Sequence, residues 1–130
     1  MPNLILTAVG WETRIRSKMG IDIAYLPDAD LGQPDIIDVA EANIIEQIPD
    51  YASKTGTDKI YLEAATVLEC AVLLCPSMPA RLPKQSESPH VKIMIDTDWN
   101  ARQEGFEGER DANILKILKL PNMPHFGLSR

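Results

Sequence analysis

Cysteine is scarce in this chain, with only Cys70 and Cys75 among 130 residues. Five positions apart on a helix, the two thiols diverge by about 140° and do not pair. They sit in a run of Ala, Val and Leu, where free cysteine acts as a small hydrophobe. No disulfide framework follows, and no oxidising compartment. Histidine is equally sparse. A Cys2His2 metal site built from Cys70, Cys75, His90 and His125 lacks a close pair of either kind. Aromatics make up 5% of the residues, so the core must rest on Ile, Leu, Val and Ala.

Catalytic motifs are missing too. There is no GxSxG, no GxxxxGK[ST] and no GxGxxG. Ser77 and Ser86 have no nearby histidine with an acidic orienter. Cys75, at the end of an apolar helix, is poorly placed to become a thiolate. Asp96 and Asp98, with Glu104, Glu107 or Glu109, have the chemistry to hold Mg²⁺ as a nuclease would. The two aspartates, however, stand where a helix N-terminus favours carboxylates, and the glutamates read as a solvated face. We therefore expect no enzyme, no metal and no cofactor.

A basic excess is absent as well. Thirteen Lys and Arg against nineteen Asp and Glu give a net charge of −6. Duplex-binding modules show a basic face, so gripping DNA is not expected, although an acidic wall can surround DNA without holding it. The start, MPNLILTAVGWE, has no basic region followed by a cleavage pattern. The uncharged run Cys70 to Ala80 is far short of the roughly twenty residues that cross a bilayer. Neither secretion nor a membrane is expected.

What is present is helical periodicity in a chain 45% hydrophobic and 25% charged, the profile of one globular domain. Ala8, Trp11, Ile15 and Met19 predict a helix from about Thr7, stopped at Gly20. LPDADLGQP reads as a loop. Pro34 opens a second helix, with Asp35 and Asp38 in its first turn and Ile37, Ala40, Ile44 and Ile48 as its buried stripe. Pro49 ends it. The third helix, about Asp58 to Cys75, is apolar on nearly every side. Either the rest of the chain covers it all, or part of it meets another subunit, and the surplus points to a second subunit. Pro76 should stop this helix, and Pro79 and Pro83 should hold the next stretch extended. Val91, Ile93 and Ile95 alternate with Lys92 and Met94, which predicts a strand. Asp96, Thr97 or Asp98 then caps a last helix to about Lys119. In its interior Gly105 and Gly108 each cost about 1 kcal/mol relative to alanine. The final stretch, LPNMPHFGLSR, is apolar for a terminus and reads as an arm that docks on a partner or on its own domain.

The expected fold is mainly α, a small bundle of about four helices with a short β-strand or hairpin near residues 81–95. One domain spans 1–119, and an extended C-terminal arm spans 120–130.

From Asp35 to Leu118 the order of features is specific. An acidic helix, DIIDVAEANIIEQIPDYASKTG, precedes the tyrosine-bearing YLEAATVLECAVLLC, which runs into CPSMPARLPK. A short strand, an Asp-Trp helix start and the charged helix DTDWNARQEGFEGERDANILKIL follow. This succession resembles the head–tail connector (adaptor or head-completion) proteins of tailed bacteriophages, with CPSMPARLP as its most specific element. The resemblance implies a virion protein of the neck, assembled in the host cytoplasm. It would form a homo-oligomeric ring, typically dodecameric, between the portal protein and the tail or tail-completion protein, and DNA would pass through without specific binding. The arm that docks on the portal would carry Leu120, Met123, His125, Phe126, Leu128 and Arg130. Contacts between subunits would draw on Tyr61, Leu68, Val72, Arg81, Val91 and Ile93. Three other readings stay open: a different neck component such as a tail-completion protein, a small helical regulatory module, and a metal-dependent nuclease using Asp96 and Asp98.

Overall fold

Residues 3–119 are described by a computed structural model, and every regular element among them is helical. Helix α1 is Trp11–Met19 and α2 is the single turn Asp28–Leu31. A π-helical turn, Pro34–Asp38, leads without a break into α3, Val39–Gln47. Helix α4 is Thr57–Leu74, followed by a tight turn Cys75–Ser77 and the short α5, Met78–Arg81. Helices α6, Pro89–Asp96, and α7, Trp99–Leu118, complete the bundle.

Helix α4 is the hub, and α7 is its principal partner. The two run antiparallel. Lys119 meets Asp58 at one end, Arg110 meets Glu69 in the middle, and Gln103 meets Val72 near the other end. Helices α1 and α3 pack on the remaining sides of α4. Every residue from Ala65 to Val72 is consequently buried. The apolar surplus that pointed to a second subunit is thus absorbed inside one protomer. By length and composition the stretch Thr57–Arg81 could span a bilayer, a length the Cys70–Ala80 run alone did not suggest. Its apolar face is turned to α1, α3 and α7 instead.

Two apolar clusters lie along this hub. The larger gathers α1, the loops around Ile21 and Leu26, the upper half of α4, Trp99 and Phe106. The smaller joins Ile5, Ile44, Ile48, Leu62, Ala65, Ile114 and Ile117. Between them on the α4–α7 seam sits a charged pair. Glu69, 4% exposed, accepts from Arg110 Nη1 at 2.6 Å and from Asn43 Nδ2 at 2.8 Å. Burial works against the Arg110 charge, yet the hydrogen bonds to Glu69 and Asp111 outweigh it and hold its pKa above the usual value.

A second buried carboxylate fixes the N-terminal segment. Glu41, 2% exposed, accepts the backbone N–H groups of Leu4, Ile5 and Leu6 at 2.7 to 3.0 Å. This leaves Ile5 and Leu6 pressed into the core. Sequence reading passed over Glu41, although it lies on the buried stripe of its helix, four residues after Ile37 and three before Ile44.

Two expectations are corrected. Among the described residues there is no strand, and residues 89–96 form α6. Val91 and Met94, three apart, face the core, while Ile93 is 67% exposed. Pro89 at the first helical position suits a helix start. The stretch Cys75–Arg81 is not extended either, although Leu82, before Pro83, has extended backbone. Pro76 and Pro79 each occupy the first turn of a new helical segment, a position that tolerates proline, although the missing Pro76 N–H leaves the Val72 carbonyl to another donor. Helix α7 passes through Gly105 and Gly108 without a break. The proposed arm, 120–130, lies outside the described residues.

Removing the Glu41 carboxylate orphans three donors. Glu41→Ala is expected to cost about 3 kcal/mol, at the upper end for hydrogen bonds to a charged group, and Glu41→Gln clearly less. Urea midpoints of the two variants and the parent protein check this ordering.

Candidate functional site

The most specific sequence element, CPSMPARLP, forms a corner at one pole of the α4–α7 pair. A proline four residues beyond a helical carbonyl cannot supply the expected N–H. Pro76 therefore leaves the Val72 carbonyl without its partner. Gln103 Nε2, reaching across from α7, donates to that oxygen at 3.0 Å. Ser77 Oγ donates to the Leu74 carbonyl at 2.8 Å and accepts from Arg81 Nε at 2.9 Å. Arg81 also pairs through Nη1 with Asp30. The corner is therefore tied to α7 on one side and to α2 on the other. Pro76, Pro79 and Ala80 are exposed on its outer surface.

Helix α6 lies beside this corner. Trp99 Nε1 donates to the Met94 carbonyl at 3.2 Å, joining α6 to the start of α7. His90 Nε2 stands 3.6 Å from Asp22 Oδ1, linking α6 to the loop after α1. Ile23 and Ile93, next to this contact in sequence and one turn along the helix respectively, are both exposed.

The six residues expected at subunit contacts divide accordingly. Leu68, Val72 and Val91 are buried in the protomer and leave little area for a neighbouring subunit; α1 and α7 pack against the first two on α4. Arg81 is turned back to Asp30 and Ser77 rather than presented outward. Tyr61 is half-buried, with the Lys116 ammonium 5.0 Å from its ring centre. Only Ile93 stands open.

The acidic residues weighed as metal ligands do not converge. Asp98 caps α7, its Oδ1 accepting the Ala101 N–H at 3.1 Å. Glu109 pairs with Lys18 at 3.1 Å. No three His, Cys, Asp or Glu side chains are grouped for a metal among the described residues. Cys70 and Cys75 are free thiols in the core. Burial drives the Cys70 pKa far up, with Glu41 and Glu69 adding to it. Burial also pushes Cys75 up to about 11, against a small pull from Arg102.

No protein-family model, no curated protein and no solved structure matches this chain.

Two predictions follow from the corner and its thiols. Gln103→Leu strips the Val72 carbonyl of its only side-chain donor among the described residues and is expected to cost about 1–2 kcal/mol. In a Pro76→Ala background the restored N–H takes that carbonyl, so the same change should cost much less. A double-mutant cycle in urea measures the coupling. Separately, the Cys75 pKa is raised on folding, so its contribution to stability is full below the unfolded-state value of 9.0 and is lost as pH climbs toward about 11. The decline should shrink in Cys75→Ala, read as urea midpoints from pH 8 to 11.

Proposed function

We propose that this protein is a structural component of the neck of a tailed bacteriophage, forming a ring between portal and tail through which DNA passes. One observation carries the reading: the order of sequence features from Asp35 to Leu118, with the CPSMPARLP run at its centre and with α6 standing where a strand was expected, resembles the head–tail connectors. Two features of the fold support it. The described residues form a helical bundle. Its most specific sequence element is also a braced corner with prolines on the outside. A structural part needs rigid surfaces of this kind more than a cleft.

The absorbed surface of α4 changes where ring contacts would lie. They would draw on the pole that carries Ile93, Ile23, Pro76 and Pro79, since Leu68, Val72 and Val91 are covered. The arm, residues 120–130, is assigned to the portal. The function is assembly in the virion, without turnover, without a cofactor and without a membrane.

Mass measurement of the full chain, alone and with a cognate portal protein, tests the reading. A large ring with portal is expected. A monomer or dimer that never engages portal sinks it, as does Mg²⁺- or Mn²⁺-dependent DNA cleavage lost in Asp98→Ala. Ile93→Asp should leave the melting temperature nearly unchanged, because the side chain is exposed, and should reduce ring formation. Deleting residues 120–130 should leave the domain folded and abolish portal binding.

A further inference from the structure

Helices α1, α4 and α7 do not close completely on one another. A groove of about 550 Å³ runs between α1 and α7, floored by Ala64, Val67 and Leu68 of α4. Its α1 side carries Gly10, Thr13 and Ser17 together with the cations Arg14 and Lys18. Gly10 has a φ of 93°, and a side chain there would meet nothing within 4 Å, so this part of the wall stays low. The Lys18–Glu109 ion pair bridges the two walls at one end.

The other end points toward the place where the described chain stops. Ile60, Ala64, Val67 and Leu68 fall on one stripe of α4 at spacings of four, three and one. The last two are buried and Ala64 is partly covered, but Ile60 is 64% exposed. The apolar floor thus continues past the groove and comes into the open at Ile60. That is also the level of Lys119, which pairs with Asp58 at 2.6 Å. Lys119 has a φ of 61°. A left-handed residue there turns the chain off the axis of α7.

We propose that residues 120–130 fold back and lie along the Ile60–Leu68 stripe, in the groove of their own protomer. The distances suit this occupant. Ala64 and Leu68 lie six and ten residues from Asp58, or about 9 and 15 Å along the helix. Eleven residues in extended form reach about 36 Å, so Met123 comes level with the floor and Phe126 reaches the far end of the groove, beyond Leu68. The chemistry suits it as well. Met123, Phe126 and Leu128 are apolar, and Pro121 and Pro124 favour an extended chain that lies flat. The inference stands apart from the connector reading. If both hold, the arm is held by its own domain before it is passed to a partner.

The test uses the full ¹⁵N-labelled chain with Ser129→Cys carrying a nitroxide. Cys70 and Cys75 are buried, so the label attaches at position 129 alone. Amides of Thr13, Ser17 and Ala64 are expected to lose most of their intensity relative to the reduced sample, independently of protein concentration. Met123→Asp with Phe126→Asp should restore them and leave the remaining spectrum unchanged. Groove amides that keep full intensity overturn the proposal. So does broadening that survives the double substitution, or that arises equally when unlabelled-nitrogen, spin-labelled chain is mixed with ¹⁵N chain lacking the label, which would mean docking between copies. A tail that binds portal without touching the groove overturns this inference alone and leaves the proposed function standing.

Discussion

A helix that is apolar on almost every face has to be surrounded, and in this protein that requirement falls on α4. The unbroken buried run from Ala65 to Val72 means that, apart from the floor of the groove at Val67 and Leu68, the helix is closed to water over more than two turns. Helices α1, α3 and α7 take one side each. Their order in the chain matters less than their number. With fewer than three neighbours, side chains such as Val67, Leu68 or Val72 would be left open. Each large aliphatic side chain so covered contributes on the order of 1.5–3 kcal/mol relative to leaving it exposed.

Burial on this scale gives adhesion but little register, because one apolar ridge slides past another at small cost. The polar groups supply the register. Glu69 is held by Arg110 from α7 and by Asn43 from α3, so a single carboxylate fixes two neighbours against the hub. Glu41 does the same for the N-terminal segment. A buried charge that loses its partner is strongly unfavourable, so a shift of α7 by one turn would strand Glu69 and is excluded. Lys119 with Asp58 and Gln103 with Val72 mark the same alignment at the two ends of the pair.

Much of this was legible in the residues. Gly20 stops α1 in the left-handed conformation, Pro34 opens the helix that ends at Gln47, and Asp98 caps α7. These signals are local, and local signals survive into the fold. The alternation at Val91, Ile93 and Ile95 misled because an eight-residue segment with apolar residues at 91, 93, 94 and 95 satisfies both periods. The fold chose Val91 and Met94 as the inward pair. The prolines misled for a different reason. Pro76 does break the hydrogen-bond ladder, but Gln103, twenty-seven residues on, repairs it. No window of sequence around Pro76 contains that information. Leu68, Val72 and Val91 are buried within the protomer, since hydrophobicity marks what must be covered and says nothing about what covers it.

The Gln103 repair bears on how the protein is made. On the ribosome, α4 emerges well before the residue that completes its end. Until α7 clears the exit tunnel, the nascent chain carries an apolar rod with a frayed tip and two of its three walls. Synthesis of α7 therefore coincides with the greatest exposure of α4, and that interval is when a chaperone would have most to hold.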